Sequence, residues 1–155
     1  MKLVQTHTEL QAEVCYILIG DYRGGIAHAK MRWRRRGSPT TVSFDWNRVM
    51  QREELAGDVV GFYHTHPPGY LRMSARDEKT MRAWAFSFGK PLVCAIGSVS
   101  VARPDGLCVD VELSEPNEAD GLTHAAWLID PFGEIIKFDK VEIFKDLWLV
   151  ASMDG

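Results

Sequence analysis

Two histidines one residue apart, His64 and His66, are followed by Ser74 and Asp77 in the stretch GFYHTHPPGYLRMSARDEKTMRAW. Two imidazoles and one carboxylate are ligands that zinc accepts, and three protein ligands would leave a fourth position for water, the mark of a catalytic rather than a structural zinc site. Hydrolysis at such a site needs a further group to take a proton from that water, near the metal but not consumed by it. Each piece also has a plain reading. An isolated H-x-H is commonly one satisfied core histidine and one loop histidine, and Ser74-x-x-Asp77 matches the capping box that opens many helices.

The elements around these residues decide how they meet. GDVVGFYHTH reads as a buried strand, so alternation puts Val60, Phe62, His64 and His66 on one face, with the imidazoles about 6.5 to 7 Å apart at a rise of about 3.3 Å per residue. PPGYLRM breaks any ladder or helix, and SARDEKTMRAWAFSFG is the clearest helix in the chain. Met81, Trp84, Ala85 and Phe88 recur on one face of it, acidic residues occupy its first turn, and Gly89 stops it. Asp77 falls on the apolar stripe, four residues before Met81. A carboxylate there needs a partner, and a metal held by the preceding strand would supply one. Ser74 can both cap the helix and offer its hydroxyl to the site.

Further strands are expected at EVCYILIG, ended by Gly20, at IAHAKMRWR, at PLVCAIGSVSVA and at GLCVDVELSE. A short helix carries Trp46, Val49 and Met50 inward; AAWLIDPFGEIIKF forms a hairpin about DPFG, and KVEIFKDLWLVA fits strand or helix. Strands with one long helix between two of them give an α/β or α+β domain around one sheet, spanning residues 1–155. For the base, spacing alone leaves Glu13, at the mouth of the first strand, level with Glu9.

Apolar residues at 46% and charged residues at 25% are ordinary for a globular protein, and a net charge of -3 argues against binding nucleic acid by general electrostatics. Arg32, Arg34, Arg35 and Arg36 form one basic stretch, read by default as a solvated strand end or loop, with a specific anion or peptide contact as the alternative. Cys15, Cys94 and Cys108 lie far apart in apolar runs and read as reduced core residues, with no C-x-x-C framework. The longest apolar runs are too short to span a bilayer, and no secretory signal follows Lys2, so a cytoplasmic location is expected. His7, His28 and His124 lack spaced partners and are read as non-ligands. Trp33, Trp46, Trp127 and Trp148 are read as core or interface.

Together the residues resemble the JAMM (MPN+) metalloprotease family, whose motif is an upstream glutamate followed by H-x-H, seven residues, serine, two residues and aspartate. His64-Thr65-His66, Ser74 and Asp77 match every spacing, Pro67 follows the second histidine as is typical, and EVCYILIG matches the upstream E-x-C-G-x-L-x-G except for Tyr16. The match favours Glu13 over Glu9. The resemblance, over Glu13 to about Gly97, implies a curved mixed sheet flanked by helices, similar to cytidine deaminases. It implies Zn2+ on His64, His66 and Asp77, Glu13 as the base that later returns its proton to the leaving amine, and Ser74 as hydrogen-bond donor to the oxyanion.

The substrate it implies is an isopeptide or peptide bond after the C-terminal tail of a ubiquitin-like protein, in deconjugation or precursor processing. Small members work beside activating and conjugating enzymes, some in antiphage systems. RRGSPTTVSF is expected to pair with the extended tail. Two alternatives are processing of a sulfur-carrier protein and a non-catalytic MPN scaffold. No nucleic-acid or membrane partner is expected.

Overall fold

The computed structural model describes residues 14–36, 46–66, 71–99 and 122–153. Glu9, Glu13, His7, Cys108, the expected strand at GLCVDVELSE, most of RRGSPTTVSF and the Pro67 loop lie outside these residues.

The described chain forms β1 (Val14–Arg23), β2 (Ile26–Arg36), α1 (Trp46–Ala56), β3 (Val59–Thr65), α2 (Ala75–Phe88), β4 (Leu92–Val99), β5 (Leu122–Ile129), β6 (Ile135–Lys137), β7 (Lys140–Ile143) and β8 (Trp148–Ser152). All eight strands join one sheet in the order β6-β5-β4-β3-β1-β2-β8-β7. Only β3 and β4, linked through α2, run parallel; the remaining pairs are antiparallel. This is the mixed α+β architecture expected. The stretch that fitted strand or helix is the β7–β8 hairpin, and DPFG turns β5 into β6.

The sheet curls until its margins meet. Phe138 N–H donates to Ala126 O on β5 at 2.9 Å, and the next residue, Asp139, donates to Ser152 O on β8 at 2.8 Å. Curling gives the sheet two apolar faces, because side chains alternate across a strand. Val14, Tyr16, Leu18, Ala29 and Leu149 fill the inside of the curl. Cys15, Ile17, Phe62, Cys94 and Ile96 face outward under Val49 of α1 and Met81 and Ala85 of α2. The helices are seated by aromatic contacts: Trp84 of α2 lies 4.3 Å from Phe62 and 4.7 Å from Trp46, centroid to centroid. At the far end of α1, Glu53 accepts from Lys90 Nζ at 2.9 Å and Val59 N–H at 3.2 Å, tying the helix to the starts of β3 and β4.

Two expectations need correction. Gly20 does not end β1, which continues to Arg23 and turns at Gly24 and Gly25, both at positive φ. Gly20 is instead a point of close approach, where a Cβ would lie 2.0 Å from His28 O. Val60 does not share a face with Phe62 and His64. The β1–β3 register slips between Leu18↔Gly61 and Ile19↔Val59, leaving Val60 as the extra residue of a bulge and turning it into the curl. The basic stretch is an exposed strand end, as read. Its Trp33 has φ 58 within a second bulge opposite Tyr16, and Arg48 of α1 stacks on its ring at 4.1 Å.

Candidate metal centre

His64 sits deep in the sheet, paired with Cys15 on β1 and Ile96 on β4. His66 lies just past the end of β3, held by its N–H to Gly97 O at 2.9 Å. Both histidines are buried, at 1% and 5% exposure, and their rings incline together to 4.6 Å between centroids, closer than the backbone spacing along a strand. Asp77, 5% exposed, arrives from the first turn of α2 on the same stripe as Met81 and Ala85. Its Oδ2 lies 3.0 Å from His66 Nε2 and 3.5 Å from His64 Nε2.

The two readings of Ser74-x-x-Asp77 hold together. Ser74 is the N-cap: its Oγ accepts from Asp77 N–H at 3.0 Å, and its own N–H donates to Asp77 Oδ2 at 3.1 Å. The capping box therefore aims the carboxylate. Ser74 Oγ spends one lone pair on the cap and keeps its O–H to donate. Gly89, at φ 70, closes the other end of α2 by donating to Ala85 O and Phe86 O.

Burial acts to raise the Asp77 carboxyl, but the hydrogen bond with His66, the nearby His64 and the Ser74 N–H outweigh it and hold it at about 2. It is a carboxylate at any ordinary pH, which is the ligand form. Cys94, on the outer face of β4, is fully buried, and burial together with the Asp77 charge pushes its thiol up. It is a packing residue.

Among the described residues, His64, His66 and Asp77 are the group whose donor atoms could hold a metal ion, all within 4.8 Å of one another. Ligands about 2.0–2.1 Å from a tetrahedral ion sit roughly 3.3 Å apart, which the 3.0 and 3.5 Å separations bracket. Two imidazole nitrogens and one carboxylate oxygen also suit zinc chemically. His28 and His124 stay apart from this group, as expected. His28 stacks on Trp148 at 4.5 Å, and His124 packs inside the curl beside Tyr63 at 5.8 Å. Sequence reasoning passed over Thr65, the residue between the two histidines. Its Oγ accepts from Val14 N–H at 3.0 Å, and the only available signal was a hydroxyl at a position destined to be buried.

A mixed sheet that presents His-x-His from a strand to an aspartate at a helix entrance is an α+β domain with a group positioned to hold a metal ion. Prokaryotic homologs of the JAB domain match residues 2–111, and the chain belongs to that family. No curated protein matches it. No helix of the described residues is long and apolar enough to cross a membrane.

Proposed function

We propose that the protein is a zinc-dependent peptidase or isopeptidase that cuts after the C-terminal tail of a ubiquitin-like protein. The observation that carries this reading is the buried His64, His66 and Asp77 group, with donor atoms within 4.8 Å and its carboxylate aimed by a helix cap. Family membership supports the hydrolase class. Bound there, zinc would supply Lewis-acid activation of water at neutral pH.

The protein's own residues do the remainder. His64, His66 and Asp77 would hold the ion. Glu13 takes a proton as the water attacks and returns it to the departing amine. Ser74 directs the O–H that its cap leaves unused at the oxyanion. The ubiquitin-like tail, the activating and conjugating partners and a place in antiphage defence rest on the resemblance to small JAMM enzymes. Processing of a sulfur-carrier protein is the neighbouring reading, since such carriers share the tail chemistry.

The test is incubation of purified protein with a ubiquitin-like protein carrying a C-terminal extension, with zinc and with chelator. Cleavage at the tail that chelator stops and zinc restores is expected, with none from Glu13→Gln. A protein that holds zinc yet cuts neither a ubiquitin-like nor a sulfur-carrier precursor would overturn the proposal in favour of a scaffold.

A further inference from the structure

We infer that the inside of the curl, behind the strand that carries His64 and His66, holds a binding site for a small oxyanion, a carboxylate or phosphate group, gripped by the hydroxyls of Tyr16 and Tyr63 and the imidazole of His124.

Most of the inside of the curl is aliphatic, and its polar atoms gather at one end. Tyr16 and Tyr63 are paired across β1 and β3 with ring centroids 5.9 Å apart, and His124 lies 5.8 Å from Tyr63. The Tyr63 ring leans over Gly97, which is paired with His124 on β5. Tyr63 Oη and His124 Cδ2 come within 2.1 and 3.0 Å of where a Gly97 Cβ would stand, so both rings reach one place. The two tyrosines are 2% and 0% exposed. Tyr16 Oη, Tyr63 Oη and His124 Nε2 are all buried, and none has a hydrogen-bonding partner among the described residues. Buried polar atoms are almost always bonded, so three together mark where a guest bonds.

Charge decides the kind of guest. Burial pushes the Tyr63 hydroxyl well above its ordinary value, and the neighbouring Tyr16 hydroxyl adds to the rise. Burial raises Tyr16 as well, with Arg34 near enough to offset part of it. Both phenols therefore stay protonated and can donate. Burial holds His124 down at about 4, which leaves a neutral ring with one N–H to give. Arg36 pairs with Val14, whose side chain is inside the curl, so two arginines of β2 bring positive charge to this end. Asp77, the buried carboxylate of the described residues, lies on the other side of the sheet. Donors beside arginines suit an anion and disfavour a cation.

The site uses no residue of the metal group, because Tyr63 faces inward where His64 and His66 face outward. The two can be tested apart. The full chain, zinc-loaded and zinc-free, is titrated with sodium phosphate and with sodium acetate, against sodium chloride at matched ionic strength, by calorimetry and thermal melting. An oxyanion should bind saturably, one per chain, in both forms, and raise the melting temperature beyond chloride. Tyr63→Phe and Tyr16→Phe should each weaken binding about tenfold or more, the weight of one hydrogen bond to a charged group. Arg34→Gln should weaken it too, and Lys140→Gln, exposed on β7, should not. Y63F carries a second readout without any oxyanion. It removes a hydroxyl that the protein leaves unbonded, so its melting temperature in chloride should equal or exceed that of wild type. A lower one would show that the hydroxyl serves a protein partner, and overturns the inference. Binding seen only with zinc would put the anion on the metal, and equal affinity in Y63F would put it on the exposed arginines; either result, or no saturable binding, overturns it.

Discussion

Ser74 and Asp77 bind each other in both directions: the serine Oγ accepts the aspartate N–H at 3.0 Å, and the aspartate Oδ2 accepts the serine N–H at 3.1 Å. The same Oδ2 lies 3.0 Å from His66 Nε2, so one oxygen closes a helix cap and faces an imidazole of the candidate metal centre. Removing the serine side chain separates these jobs. Ser74→Ala should lose about 0.5–2 kcal/mol of stability, the usual cost of an N-cap. It should still bind zinc, because Ser74 N–H remains to hold Oδ2. Thermal melting and metal analysis of one preparation measure both, and loss of zinc in S74A would show that the hydroxyl, not the backbone, aims the carboxylate.

Zinc should stabilise the protein, because the ligands converge only when β3 and α2 are both formed. A ligand that binds the folded state alone at about 100 times its Kd adds about 2.7 kcal/mol. The melting temperature should rise with zinc, return to the apo value with chelator, and be indifferent to both in His64→Ala and Asp77→Asn. A zinc-dependent rise that survives in H64A would place the ion elsewhere.

Gly97 and Gly61 should differ in how they tolerate alanine. A Cβ at Gly61 would lie 1.9 Å from Val93 O, a backbone atom of the adjacent strand that cannot move aside. Gly61→Ala should cost more than the roughly 1–3 kcal/mol typical of overpacking. At Gly97 the obstacle is Tyr63 Oη, 2.1 Å away at the end of a side chain. Tyr63→Phe should therefore recover part of the loss in Gly97→Ala and none of the loss in Gly61→Ala. Denaturant melts of the double variants decide this, and equal recovery in both would contradict the contacts.

His124 makes stability depend on pH. Burial lowers it from 6.5 to about 4, so between those values the unfolded chain binds a proton that the folded protein does not. Its contribution is fully present above about pH 6.5, and is lost progressively as pH falls towards 4. His124→Phe should flatten the stability curve across that window in metal-free protein. An unchanged slope would mean that another group carries it.

Most of the candidate metal centre was legible because its residues declare themselves locally: strand alternation, a cap signature and the apolar stripe through Asp77 and Met81 all survive into the structure. What could not be read depended on contacts distant in sequence. The bulge that turns Val60 inward arises from a slip against Leu18 and Ile19 on another strand, and nothing in VVGF announces it. Gly20 carried a stop signal by type, yet its use is to let His28 O approach. Thr65 was unremarkable between two histidines until Val14 came within reach of its hydroxyl. The pairing of β2 with β8 had no local sign.

That last pairing has a kinetic meaning. β2 finds its outer neighbour only in β8, and the Lys30 bond to Asp146 O closes a loop of 116 positions. His64, His66 and Asp77 are all synthesised well before β8, so the nascent sheet waits with one flank bare, and contacts this remote make closure slow. During that interval the exposed flank of β2 is the surface most open to mispairing with another chain. The yield of folded protein is thereby tied to how soon the last strand arrives.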